Sequence, residues 1–466
     1  MTPRRSLHFL LAGLCATFGA IDAWGQEDAD LLMIPSATME DKTPPTASDV
    51  STAHQDKIFS ENALGVAGRR NDLAVPLPAG RQNDAQARSS IDATLHRDWA
   101  DGWSAGISDR LAVSWRNDVD FPSHQALAND LREAYVSWEP WTRSYVEAGR
   151  INLRNGIALG FNPTDFFKTR SLIDQASLDP QALRNNRLGT FMARGQSLWD
   201  SGSIALAVAP KLADASPLTT ASDGGFGTRS DHTNAEDRFL VSLTQDLGEI
   251  SPEVLAYREA GRTRFGLNLS HPVGQSVIIY GEWAGGQQAS DIATAMAFAK
   301  RTGTLPASVP TPGDTASRFR NDIAAGMSWT SSAKVTLNLE YLEHQAGMSR
   351  QDWRQWFASG TGSTAMTGAL WYIRRFASDQ QSPLSRRQLF VRADWTDALI
   401  SHLEFSAFAF VNLYDGSSLA QLSAAYDLSE RWSMGAYLSA NLGDRRSEHG
   451  SLPQSGSLTL QLIRYF

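Results

Sequence analysis

Cysteine is almost missing from this chain. The single one, Cys15, falls inside an N-terminal segment that reads as removable, so no disulfide framework and no thiolate zinc site is expected beyond it. Long apolar runs are lacking as well. Past the N-terminus no stretch of about 18 apolar residues occurs, which excludes helical membrane spans. Positive charge is in short supply: 42 basic residues stand against 50 acidic ones, which argues against nucleic acid as a partner. Phosphate-loop, zinc-helix and nucleophile-elbow motifs do not occur, and the histidines are scattered without metal-ligand spacing. Enzyme activity, a metal and an organic cofactor are therefore not expected.

What is present begins with an export signal. Arg4 and Arg5 precede an apolar stretch over 7–21, and Ala23 and Gly25 occupy the two positions a signal peptidase reads, predicting cleavage before Gln26. Leu14, not a small residue, precedes Cys15, which disfavours lipidation. Loss of residues 1–25 leaves 40 basic against 49 acidic residues, a formal charge of -9. Residues 26–60 are polar, contain Pro35, Pro44 and Pro45, and read as a periplasmic leader. From about residue 61 the texture changes. In 103–115 the odd positions, among them Ile107, Leu111 and Val113, are apolar, while the even ones are small or polar. The same period of two recurs with Val335, Leu337, Leu339 and Tyr341, with Leu403, Phe405, Ala407, Ala409 and Val411, and with Met434, Ala436, Leu438 and Ala440. Such segments average out as hydrophilic, in keeping with a mean hydropathy of -0.30.

The connections alternate between short and long. Short ones fall at 98–102, 139–143, 200–203, 246–249, 272–275, 331–334, 396–402 and 427–431; long ones fall near 116–129, 152–189, 212–235, 284–318, 346–386 and 442–456. That rhythm predicts a transmembrane antiparallel β-barrel over 61–466, with short periplasmic turns and long extracellular loops. The count is about 18 strands, with about 16 as the alternative. The first strand is placed weakly at 63–75. Eight tryptophans (Trp99, Trp103, Trp138, Trp141, Trp199, Trp329, Trp395 and Trp432) lie beside short turns, as an interfacial girdle requires. The chain closes on Leu458, Leu460, Leu462 and Phe466, with Arg464 out of pattern. This end resembles the sorting signal of outer-membrane barrels and implies the barrel-assembly machinery as a partner, with outer-membrane lipid around the wall.

One stretch carries a narrower resemblance. REAYVSW at 132–138, EAGR at 147–150 and FNPTDFF at 161–167 resemble the outer-membrane porins of the alginate-export type, locally over about 131–195. The resemblance implies a porin in which a strand ending in Gly-Arg leads into a loop. The residues agree by themselves. Arg150, Arg154, Lys168, Arg170, Arg184, Arg187 and Arg194 cluster in and around 152–189, with Glu133, Tyr135, Glu147 and Asp165 nearby. Asp165 is expected to cap a short helix at Phe166. Folded inward, this connection would narrow the pore and favour anions; left outside, it is a solvated surface loop. Strand phase adds Gln196, Arg238, Arg264, Asn268, Tyr280, Glu282, Asn338, Glu340, Arg392 and Asp394 as lumen-facing residues. The expected function is passive passage of small polar or anionic solutes, with sugar acids or an exported polysaccharide as candidates. The alternative is a non-conducting structural or surface-binding barrel acting through its loops.

Overall fold

The computed structural model describes residues 56–77, 84–99, 102–116, 125–218, 225–360 and 364–466. The signal segment and the leader up to residue 55 lie outside the described residues. Eighteen antiparallel strands pair in sequence order, from β1 (Lys57–Arg69) to β18 (Gln454–Tyr465). The sheet closes on itself: β1 pairs β2 (Ala85–Trp99) on one side and β18 on the other, in register from Phe59 opposite Tyr465. Closure leaves no strand edge unpaired, which is what lets a sheet cross hydrocarbon. The fold is therefore the expected transmembrane barrel. Its first strand runs from Lys57 to Arg69, six residues ahead of the expected 63–75 at both ends, and it starts the barrel four residues before 61.

Strand phase decides which residues meet lipid. In β8 (Arg238–Gln245), Phe239, Val241 and Leu243 are 45, 41 and 44% exposed, while Arg238, Leu240 and Ser242 are buried inside. In β3 (Trp103–Arg116), Ile107 and Leu111 face out while Ser108 and Arg110 face in. An outer wall of exposed branched and aromatic side chains is stable only against acyl chains. The eight tryptophans beside the short turns are all exposed, in a band at one rim. Trp103 and Trp138 stack there at 5.4 Å. On the opposite side, β9 (Glu253–Glu259) and β10 (Arg262–Val273) are joined by Ala260 and Gly261 alone. Both have positive φ, the twist a two-residue hairpin requires.

The long connections are not bare loops. α1 (Pro180–Asn185) and α2 (Ser230–Thr233) are short helices in two of them, and α3 (Asp291–Arg301), α4 (Arg350–Ser359) and α5 (Thr364–Asp379) lie within two others. α4 starts at a capping box of Ser349 and Asp352. The apolar faces of α3, α4 and α5 pack with Val75, Leu218, Val309, Met348 and Leu384 into one cluster on the long-loop side. Arg374 of α5 is buried in this cluster, 5.3 Å from the rings of Trp353 and Trp356 and 5.5 Å from Trp371.

Candidate pore constriction

The connection 152–189 is bonded to the barrel wall at widely separated strands. Its backbone N–H groups at Ile157 and Ala158 donate to Glu282 of β11 (Val277–Gln288). Those of Leu159 and Gly160 donate to Glu340 of β13 (Val335–His344), at 2.6 and 2.8 Å. Thr164 donates to Asn268 of β10 at 2.8 Å. Further round the wall, Arg392 of β14 (Arg387–Trp395) holds Asp179 at 2.7 Å, and Gln421 of β16 (Ser418–Ser429) accepts from the Leu178 N–H at 2.9 Å. Arg110 of β3 donates to the Asp174 carbonyl at 2.7 Å. Bonds to strands this far apart around the sheet mean that the segment crosses the lumen. Two carboxylates each taking a pair of amide protons satisfy backbone groups that would otherwise be buried unpaired.

An apolar contact adds to these bonds. Ala158 and Phe161 pack with Phe390 of β14, Phe408 of β15 (Leu403–Asn412), Ala324 and Leu342. The barrel interior therefore carries a greasy dock. A Cβ at Gly160 would meet Phe390 at 2.6 Å, so only glycine allows this approach.

The basic residues of the segment have distinct placements. Arg187 makes a two-pronged pair with Asp165, at 2.8 and 2.9 Å, and donates to the Leu153 carbonyl; both side chains are almost fully buried. Asp165 therefore does not cap a helix at Phe166. The helix of this segment is α1 (Pro180–Asn185), capped by Asp179, whose carboxylate accepts from Gln181 N–H at 3.0 Å. The pull of an arginine pair on a buried acid outweighs a local cap. Burial raises Asp165, yet Arg187 and Arg184 hold its carboxyl below the usual range. Arg184 donates to the carbonyls of Asn155 and Gly156 at 2.8 and 2.9 Å. Arg150 is wholly buried, with Nε on the Gly189 carbonyl at 2.9 Å and Nη1 on Thr228 at 2.5 Å. Arg154 donates to Asn185 at 2.6 Å.

Arg170 binds the carbonyls of Asp231 and Ser216 at 2.9 and 3.0 Å and stands 3.5 Å from Asp379. Lys168 donates to the Asn162 carbonyl at 2.7 Å, and its ammonium lies 4.0 Å from the Phe161 ring centre. Burial pushes Lys168 down to about 7, only partly opposed by Asp165. Arg194 pairs across strands with Glu147 at 2.8 Å and with Gln196 at 2.6 Å. Glu133 accepts from the Asn152 N–H at 3.0 Å, and Tyr135 packs beside the cluster of Phe166, Phe167 and Tyr257. Arg238 pairs with Glu259 at 2.8 Å and Arg264 with Asp322 at 2.5 Å, both on inward faces.

Three cavities lie beside the crossing segment among the described residues. An outer one of about 670 Å3 is lined by Lys168, Arg170, Arg238, Arg262, Arg264 and Arg301 among others. Burial, assisted by Arg170 and Arg229, holds His232 on its wall down at about 4. A second, of about 190 Å3, is lined by Arg154, Arg194 and Gln196. A third, of about 380 Å3, is lined by Arg110, Arg132, Arg187, Glu61, Asp92 and Tyr437. Arg88, Arg110 and Arg132, from consecutive strands, were not among the expected site residues. Phase alone identifies Arg88, Asp92 and Arg110. Arg132 is hidden by a bulge between Ser108 and Asp109 that shifts the register against β4 (Gln125–Trp141). Arg132 pairs with Asp92 at 3.0 Å, and Arg110 stands 3.7 Å from both Asp92 and Glu61. Nη2 of Arg110 and Nε of Arg132 have no hydrogen-bond acceptor among the described residues.

No family model and no curated protein matches the sequence. Solved structures do. The chain superposes on Pseudomonas aeruginosa OccK5 (OpdH) with a TM-score of 0.50 at 10% identity, covering 88% of this chain and 98% of that one. Acinetobacter baumannii OccAB4 gives the same score and identity over 88% and 97%. P. aeruginosa OpdQ does likewise, over 88% and 97%. These neighbours are outer-membrane porins, and at this identity the likeness speaks for the barrel fold.

Proposed function

We propose that the chain is an outer-membrane channel for passive passage of small polar or anionic solutes. The observation that supports this most is the lumen-crossing segment together with the arginine-lined cavities beside it. Guanidinium groups with open donor positions, held in a low-dielectric wall, bind and pass anions better than the acidic composition suggests. The local resemblance to alginate-export-type porins makes sugar acids or an exported acidic polysaccharide the candidate cargo, and Tyr437 and Tyr135 offer faces for sugar rings. The signal segment implies export through the inner membrane before assembly. Insertion through the terminal strand ending in Phe466 is part of the same reading.

Planar-bilayer recording of the refolded chain tests it. Discrete conductance steps with an anion-selective reversal potential are expected. A chain that folds but never conducts supports the second reading, a structural or surface-binding barrel; the apolar cluster built by α3, α4 and α5 on the long-loop side favours that alternative.

A further inference from the structure

The long-loop rim carries an arginine cluster that the pore reading does not use. β12 (Arg318–Thr330), β13 and β14 end side by side at the long-loop rim. An open cavity of about 250 Å3 there is lined by Arg318, Arg320, Arg386 and Arg387 against one carboxylate, Glu343. Glu343 and Arg387 are cross-strand partners on the outward face, since their neighbours Leu342, His344 and Gln388 are buried inside. Their pairing is loose: 3.6 Å separates Nη2 from the carboxylate, which also accepts from the Tyr341 hydroxyl at 3.0 Å. Arg386 reaches Asp352 only at 3.9 Å. Arg318 pairs with Asp314, yet its side chain is 58% exposed, and that of Arg387 is 52% exposed. Arg320 is committed to the carbonyls of Gln288 and Gln345 and shapes the floor. Four residues below Glu343 and Arg387 the outward positions are apolar, with Leu339 and Val391 exposed.

A basic, concave patch standing on an apolar column at the water–hydrocarbon boundary fits an amphiphile. We infer that this rim binds a phosphorylated lipid of the surrounding leaflet. Arg318, Arg386 and Arg387 hold the anionic headgroup, and an acyl chain lies along Leu339 and Val391. Guanidinium forks match phosphate oxygens two at a time, and basic pockets at the membrane surface recruit such headgroups. A free anion would make no use of the apolar column. The inference is independent of whether the barrel conducts.

Binding of a bis-phosphorylated glycolipid of the lipid A type to the full chain in detergent micelles is the test. It is compared with the dephosphorylated glycolipid and with inorganic pyrophosphate. R318Q/R386Q/R387Q should weaken binding by about a hundredfold. R97Q/R143Q/R431Q, which removes three exposed charges at the opposite rim, should leave it unchanged. Single R387Q, with wild-type heat-modifiability as its folding control, should weaken binding by a smaller factor. Equal binding by wild type and by a folded R387Q or triple variant overturns the inference. So does equal affinity for the dephosphorylated lipid, which would mean apolar adsorption. Pyrophosphate binding as tight as the lipid would make the rim a free-anion site and overturn it too.

Discussion

At the scale of single residues, the cations of the crossing segment divide into those that hold it and one that is poised to titrate. Arg187 is locked to Asp165 in the interior. Arg187→Gln should leave a buried carboxylate without its partner, at a cost of about 3–5 kcal/mol, which the double variant with Asp165→Asn should partly restore. Limited proteolysis within 152–189 would read this: cleavage should rise in the single variant and fall back in the double. Lys168 behaves differently. Burial lowers it to about 7, so it is charged below that pH and neutral above. Anion preference should therefore decline from about pH 6 to about pH 8. Asp379, raised to about 6 by burial against the pull of Arg170, titrates close by and acts in the same direction. Lys168→Arg separates the two, because it should keep the anion preference and flatten the upper part of the profile. A reversal potential with the same pH profile in wild type and Lys168→Arg would remove Lys168 from the conduction path. The concentration of Arg and Lys in this segment was legible in the sequence. Their partners were not, because Asp165 reads locally as a cap and only the folded segment brings Arg187 to it.

At the scale of elements, period-two alternation placed nearly every strand, since each outward position repeats the same demand for an apolar side chain. It failed where that demand is not the only one. β15 reads as alternating through Phe405, Ala407, Ala409 and Val411, but Phe408 and Phe410 are apolar as well and face inward, where Phe408 packs on Phe390 and Phe161 docks. A simple in-or-out reading has no place for an apolar dock inside a polar lumen. The helices of the long connections were missed for a related reason. Ser349 with Asp352, and the run of apolar residues in α5, are ordinary helix signals, but a loop region gave no cause to look for a second core. The lipid-facing assignment yields a direct comparison on one strand. Ala407→Arg should destabilise the folded barrel by about 2–4 kcal/mol, because the guanidinium would face hydrocarbon. Ser406→Arg should cost far less, because Ser406 lies opposite the inward Asp394. Urea unfolding in lipid vesicles measures both, and equal costs would refute the strand phase.

At the scale of the whole molecule, the crossing segment and the wall determine each other. Glu282 and Glu340 are inward carboxylates, and in the folded protein each neutral demand on them is met by backbone amides of 157–160. The same segment separates the outer arginine-lined cavity from the two on its other side. Deletion of 160–185 with a short glycine linker takes away Asp165, Lys168, Arg170, Asp174, Asp179 and Arg184, the Thr164 tether and the Arg392 anchor, and most of the bulk in the lumen. The eighteen-strand ladder does not depend on it, because every strand pairs with its neighbours outside this segment. Conductance should therefore rise several-fold in a barrel that still shows heat-modifiability. Selectivity should move as well. With the Gly160, Asn162 and Thr164 donors gone and 157–159 released from their tether, Glu282 and Glu340 open to water, which favours cations, while Arg88, Arg110 and Arg132 remain on the opposite wall and favour anions. The deleted acids and bases balance, three of each, and the two freed carboxylates outnumber the one freed cation, Arg187, so the reversal potential should shift toward cations even as the pore widens. A deletion that folds with conductance and reversal potential both unchanged would mean that ions follow a path the segment does not touch. The three cavities would then be pockets of a closed barrel and not stations of a channel.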